Sequence, residues 1–223
     1  MQLKVHGTIF SPWVRRLMVL IEEKGLSFEH VNVVPLGDPD QDYLKISPLG
    51  KVPLLEVDGR YLPDSLAASV FLDSAVPSPR FFPEDGWQRA WMLWLCDFIG
   101  AGVFSKVEAP LFIQRFINPN MLGIDPDPGI VQDALDKLPY HFDYLESQLP
   151  EAGPFMMGDE ISLVDLTAGS VFINMLHAGE PVDAKQWPKL AAYIDRLLAR
   201  PSFQNRLSVE RQAVGDRSPA FAD

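Results

Sequence analysis

Apolar positions follow two rhythms along this chain. In the first third they come in short runs broken by turn residues. Residues 2–6 alternate, with Leu3 and Val5 apolar, the period of a half-buried strand. Val14, Leu17, Met18 and Ile21 then recur at helical spacing, with Arg15, Arg16, Glu22 and Glu23 on the other side. Ser11-Pro12 opens that helix as N-cap and first helical residue, where the missing proline N–H costs nothing, and Gly25 closes it. Residues 28–33 are rich in β-formers and read as a second strand, so the helix between implies a parallel pair with a right-handed crossover. Residues 37–46, with Pro39 and several aspartates, read as a loop with one weak helix. A short apolar strand then turns at Asp58-Gly59, a pair that tolerates positive φ at both positions, and returns through Arg60-Tyr61-Leu62. A helix from Ser65 to about Ser74 follows, capped by Asp64 or Ser65. The predicted order is β-α-β-α-β-β-α.

After residue 76 the alternation disappears. Residues 76–85, "VPSPRFFPED", carry three prolines and predict a linker at 77–85, packed down by Phe81 and Phe82, between domains 1–76 and 86–223. Residues 87–117 are a long apolar and aromatic helical stretch, weakened by Gly100 and Gly102 and kinked or split at Pro110. Residues 118–129 mark a turn. Residues 130–149 place Leu135, Leu138, Phe142, Leu145 and Leu149 on one face, with Pro139 a point for a kink. Ser162 and Asp165 form a capping box flanked by Ile161 and Leu166 as a hydrophobic staple, and the helix it opens is apolar almost all round, as a buried core helix must be. Residues 187–198 form a final amphipathic helix, and Pro201 begins a short helix and a polar tail. The second half is all-α.

Charge and composition narrow the chemistry. A net charge of −11 without a basic face argues against nucleic acid, and an anionic ligand would need local positive groups against that background. Cys96 is the only cysteine, so no internal disulfide forms; it lies in an apolar run, consistent with a reduced, cytoplasmic setting. No N-terminal leader pattern and no apolar run of about 20 residues stands out, so no membrane partner is expected. His6, His30, His141 and His177 are scattered without metal-ligand spacing, and no phosphate-binding glycine loop or G-x-S-x-G elbow is present.

The segment that concentrates the chemistry is Ser47-Pro48-Leu49-Gly50-Lys51-Val52-Pro53-Leu54-Leu55-Glu56-Val57-Asp58-Gly59, with Leu62-Pro63-Asp64-Ser65 behind it. Pro53 belongs at a strand's first residue or an edge, and the Val52–Pro53 bond is a candidate for the cis form. Such a turn leaves the Val52 N–H and C=O facing outward, open to an extended peptide added as an extra strand. This segment resembles the glutathione-binding segment of the cytosolic glutathione S-transferases, and the likeness, to serine-type and bacterial-like members, extends over essentially the whole chain. The resemblance implies an α/β thioredoxin-like N-terminal domain plus an all-α C-terminal helical domain. It implies that Val52 and Pro53 pair with the cysteinyl backbone of glutathione, that Asp64 and Ser65 hold its γ-glutamyl group, and that the protein is a homodimer. Lys51 stands where many relatives carry Gln; its charge meets a glutathione carboxylate or stays in a solvated loop.

Ser11 carries the expected catalysis. It stands at a helix N-terminus, where exposed N–H groups and the helix dipole favour an anion. A thiol there shifts toward thiolate, and a hydroxyl that donates to sulfur favours the charged form. Serine-type transferases carry such a Ser four residues before an Arg, as Ser11 stands to Arg15. Redox-type relatives carry Cys-Pro where Ser11-Pro12 falls, which argues against mixed-disulfide chemistry on a protein cysteine. The competing reading of Ser11 is a plain helix cap, and Thr8 is a rival hydroxyl. Phe10, Trp13, Phe104 and Phe112 are candidates for an apolar pocket for an electrophile, or ordinary core aromatics. Two alternatives to a transferase with glutathione as co-substrate and no metal follow from the same fold: a non-catalytic binding or regulatory module, and a glutathione-dependent isomerase or peroxidase.

Overall fold

Asp58 and Gly59 take positive φ, 49° and 79°. The chain therefore reverses in two residues, and Leu54–Val57 (β3) pairs antiparallel with Arg60–Pro63 (β4). Leu3–His6 (β1) pairs antiparallel with β3 on one side and parallel with Glu29–Val31 (β2) on the other, giving the sheet order β2-β1-β3-β4. The computed structural model that defines this sheet describes residues 1–35 and 40–221. It divides into two compact units, Met1–Phe82 and Pro83–Asp223.

Three helices complete the first unit: Pro12–Glu23 (α1), Gln41–Ile46 (α2) and Ser65–Ala75 (α3). The weak helix expected within 37–46 is α2; the loop expected at 37–39 lies outside the described residues. Strand β4 is parallel to β1, being two antiparallel steps away, and the helix after each runs back along the sheet. So α1 and α3 run parallel, with their N-termini at one end. Two side-chain rungs lock them together. Arg16 Nη2 donates to Ser65 Oγ at 2.5 Å, and Lys24 Nζ donates to Asp73 Oδ1 at 2.8 Å; in each rung the partners are 49 residues apart. Eight residues separate the rungs along each helix, about 12 Å. The buried Lys24 ammonium also donates to the carbonyls of Val76 and Pro79, which uses all three of its protons, and Asp73 accepts from the Phe81 N–H. With Phe81 and Phe82 buried, the proline-rich stretch is tied to the first unit as far as Phe82. The peptide bonds Val52–Pro53 and Ser78–Pro79 are cis.

The second unit is helical. Gly86–Leu122 is one helix (α4) of 37 residues. It is not split at Pro110. The winding widens to i→i+5 over Phe98–Glu108 and Ile113–Leu122, so that the Ala109 N–H reaches the Phe104 carbonyl. Proline cannot serve the i→i+4 ladder, and the wider winding on both sides of Ala109–Phe112 lets Pro110 and Pro119 sit inside a continuous helix. The turn expected at 118–129 therefore begins only at Gly123, left-handed at φ 66°. By length and hydropathy α4 is also apolar enough to cross a bilayer, which corrects the expectation that no such stretch exists. Its glycines, Lys106 and Glu108 break the run in sequence but leave the mean hydropathy high. Ile99, Val103, Val107 and Leu111 of this helix are buried in the unit.

Pro128–Gln148 (α5), Leu163–His177 (α6), Pro188–Leu198 (α7) and Pro201–Val214 (α8) follow. Trp187 cannot cap α7 with its side chain, and Glu146 of α5 does so instead, accepting from the N–H groups of Lys189 and Leu190. Helix α8 is longer than the short helix expected, because Glu210 and the tail residue Ser218 hydrogen-bond the buried His177 at the end of α6. Helix α6 is buried along almost its whole length, as its all-round apolarity requires.

The Ser162–Asp165 capping box is formed. Asp165 does more than cap. Its carboxylate accepts from the N–H groups of Met156 and Ser162, from Ser162 Oγ and from Tyr193 Oη, at 2.7–2.9 Å. Burial pushes this carboxyl above the usual range, and the four donors pull it back. An Asp165→Ala variant strands several buried donors, each costing about 1–3 kcal/mol. We expect urea denaturation to report a loss of about 3–5 kcal/mol for that variant and only about 1 kcal/mol for Ser162→Ala.

Candidate active site

The parallel pairing of α1 and α3 brings two helix N-termini to the same end of the first unit. The 49-residue offset of the rungs places Asp64 level with Arg15, one turn short of Ser11. The two ends are thus offset by about 6 Å along the axis and about 8–10 Å across, which is roughly the span of a three-residue extended peptide.

Ser11 is the N-cap of α1, in extended backbone. Its Oγ accepts from the Val14 N–H at 3.5 Å, so Ser11 caps the helix, and the hydroxyl proton is left to donate elsewhere. The first turn of α1 carries no acidic residue, and Arg15 and Arg16 follow at once, which adds positive potential where the helix dipole is already positive. Thr8, the rival hydroxyl, accepts from the Phe10 N–H at 3.5 Å.

Between the helix ends runs the strap Lys51-Val52-Pro53. Tyr43 Oη and Ser47 Oγ both donate to the Lys51 carbonyl, at 3.0 and 2.9 Å, and burial raises the Tyr43 phenol above its ordinary pKa. The Pro53 carbonyl accepts from the Asp64 N–H at 3.3 Å, which joins the strap to α3. Among the described residues, neither the N–H nor the C=O of Val52 has a partner, so both are open to an extended peptide. Gly7 lets the turn before α1 approach this strap. A Cβ built there would lie 2.3 Å from Val14 Cγ2 and 3.1 Å from Val52 Cβ, and the backbone takes φ 152°.

The start of α3 is divided between capping and recognition. Asp64 is the N-cap, at φ 79°; its Oδ1 accepts from the N–H groups of Leu66 and Ala67, and no partner takes Oδ2 among the described residues. The Ser65 N–H and the proton of its hydroxyl remain, while the hydroxyl oxygen accepts from Arg16. One open acceptor beside two open donors matches an ammonium next to a carboxylate, the head of an α-amino acid.

The remaining predicted residues are placed as follows. Phe10 is half-buried, Trp13 lies over the Arg16 guanidinium at 5.0 Å, and the Lys51 side chain is exposed. Phe104 is half-buried in the helical unit, whereas Phe112 is buried there and stacks on Phe116 at 4.9 Å. The wide winding before Ala109 changes the register that would have set these two on one face of a regular helix. Sequence reasoning missed Gly7, Arg16, Tyr43 and Ser47. Gly7 stands outside the predicted elements, Arg16 is placed only as lying opposite the apolar face, and the other two act through pairings that no periodicity marks.

A family model described as "Glutathione S-transferase, N-terminal domain" matches residues 10–75, and one described as "Glutathione S-transferase, C-terminal domain" matches residues 132–207. Glutathione S-transferase Z1 of Arabidopsis thaliana is 30% identical over 210 residues, covering 92% of this chain and 91% of that one. A probable glutathione S-transferase of rice, GSTF2, is 27% identical over 93% of this chain and 96% of its own. A glutathione S-transferase from Sinorhizobium meliloti 1021 superposes with a TM-score of 0.84 at 26% identity, covering 93% of each chain. One from Rhodospirillum rubrum F11 superposes with a TM-score of 0.85 at 23% identity, covering 93% of this chain and 92% of that one, a likeness of fold.

Steric closeness at Gly7 makes a sharp comparison of glycine variants. We expect Gly7→Ala to lower unfolding free energy by more than about 2 kcal/mol, because its methyl overlaps Val14. Gly25→Ala, at φ 67° with open space around it, is expected to cost about 1 kcal/mol from backbone strain alone. Chemical denaturation of the two variants measures both.

Proposed function

The chain belongs to the glutathione S-transferase family, a family of enzymes, and on that footing we propose that it is a serine-type glutathione transferase. The observation that carries this reading is the single end of the first unit at which Ser11, the strap Lys51-Val52-Pro53 and the pair Asp64-Ser65 meet. Glutathione would lie along the strap as an added strand, its cysteinyl amide against the N–H and C=O of Val52. Its γ-glutamyl ammonium goes to Asp64 Oδ2 and its α-carboxylate to the Ser65 N–H and hydroxyl. Lys51, exposed beside the strap, offers charge to the other carboxylate.

This pose sets the thiol at the N-terminus of α1. The thiol proton leaves to water. The sulfur anion is then stabilised by the Ser11 hydroxyl as donor, by the helix dipole and by the nearby arginine charge. Ser11 acts as neither base nor nucleophile. The thiolate attacks an electrophilic carbon, forming the C–S bond. A halide leaves with its electron pair, or an epoxide oxygen or enolate takes a proton from water. Holding both reactants together supplies much of the rate. Phe10 and Trp13, half-buried in the first unit, are the side chains assigned to apolar contact with the electrophile. A cytoplasmic homodimer is part of the proposal, with the exposed Leu66 and Val70 of α3 and the exposed Trp87, Trp91 and Trp94 as contact faces.

The test is the ultraviolet thiolate difference spectrum of bound glutathione from pH 5 to 9. A free thiol titrates near 8.5, and we expect the wild-type complex to titrate one to two units lower, so that thiolate dominates near neutrality. In Ser11→Ala the midpoint should return toward the free value, and the rate at pH 7 should fall by about 8- to 25-fold, the drop in thiolate fraction that the lost shift causes. Binding with an unshifted thiol in the wild type would set the transferase mechanism aside.

A further inference from the structure

Arg16 enters the proposed chemistry only through its charge, yet its side chain is committed to a specific contact. It is a charged side chain, buried, directly behind the serine that faces the proposed ligand. Its Nη2 donates to Ser65 Oγ at 2.5 Å, and the Trp13 ring covers its guanidinium. A guanidinium donates but never accepts, and it keeps its charge at any working pH. A serine hydroxyl that accepts from it must turn its own proton elsewhere. Ser65 is the first residue of α3, so no carbonyl of a preceding helical turn stands behind it to take that proton. The Leu66 and Ala67 N–H groups already belong to Asp64, so the outward donors here are the Ser65 hydroxyl and N–H.

We infer that Arg16 is a positioning residue that fixes the Ser65 hydroxyl as a donor and supplies buried positive charge behind it, so that this helix start selects peptides bearing a free α-carboxylate on their γ-linked residue. The inference rests on the glutathione reading above and deepens it. In a chain of net charge −11, a bare hydroxyl would discriminate weakly between a carboxylate and a neutral group. A hydroxyl polarised by a guanidinium, in a site that water leaves, discriminates more strongly.

The experiment is calorimetric binding of two peptides, glutathione and its analogue with the α-carboxylate replaced by hydrogen (4-aminobutanoyl-cysteinyl-glycine), to wild type, Arg16→Gln and Arg16→Lys. Wild type is expected to bind glutathione about 10- to 100-fold more tightly than the analogue. Arg16→Gln should bind glutathione at least about tenfold more weakly while its affinity for the analogue stays unchanged, so that the two peptides become nearly equal. Arg16→Lys keeps the charge but not the fork, and should recover part of the discrimination; it also answers the question if Arg16→Gln does not fold. Equal loss for both peptides in either variant would mean that Arg16 only supports the fold, and full discrimination in both would mean that Ser65 needs no help; each overturns the inference alone. If wild type binds neither peptide, the glutathione reading falls and the inference with it.

Discussion

The first unit depends on the parallel lock between α1 and α3. Two rungs, Arg16 to Ser65 and Lys24 to Asp73, hold the helices in one register. The lower rung is structural in every detail, because the Lys24 ammonium has all its protons placed and also binds the chain that leaves α3. Removing either partner of such a buried pair costs more than the pair contributes, since the other charge is stranded. The upper rung is different in kind. It joins a cation to a neutral hydroxyl at the start of a helix, where a structural need alone is met by an ordinary cap. Asp64 already provides that cap. A device that is mechanical at one end and chemical at the other explains how the two helix starts stay a peptide's length apart.

Charge placement supports the same division. A helix is best stabilised by acids in its first turn and bases in its last. Helix α1 departs from this, with none in the first turn and Arg15 and Arg16 just beyond it. The departure costs helix stability and raises the positive potential at Ser11, as an anion site requires. Packing offsets the cost: Val14, Leu17, Met18, Leu20 and Ile21 of the same helix are fully buried.

Local chemistry was legible in the sequence, and long-range pairing was not. The Asp58-Gly59 hairpin, the Ser11-Pro12 helix start, the Gly25 stop and the Ser162–Asp165 box each depend on residues within a few positions of one another, and each is where their side chains place it. Arg16 and Ser65 lie 49 residues apart, so only the fold reveals that they meet. The same applies to Tyr43 and Ser47, whose hydroxyls hold a carbonyl that any residue at position 51 would present. Helix α4 defeated the reading for another reason. A split at Pro110 and a turn from residue 118 both assume regular winding, and the wider winding lets one helix continue through both prolines. Helix α8 was read as short because Glu210 in its last turns is polar, and its burial comes from pairing with His177, which the tail residue Ser218 also meets.

Asp64 joins these threads. A non-glycine residue at φ 79° carries backbone strain of about 1–3 kcal/mol. An aspartate caps a helix equally well from relaxed extended backbone, as Asp85 and Asp127 do at the starts of α4 and α5. The strain is therefore not needed for capping. It is the geometry in which the Asp64 N–H can reach the Pro53 carbonyl while Oδ1 still holds the N–H groups of Leu66 and Ala67. The strap and the helix start are thereby made one rigid piece, with Oδ2, the Ser65 donors and the open groups of Val52 in fixed relation. Positive φ at a single residue converts a helix cap into one wall of a peptide-binding groove.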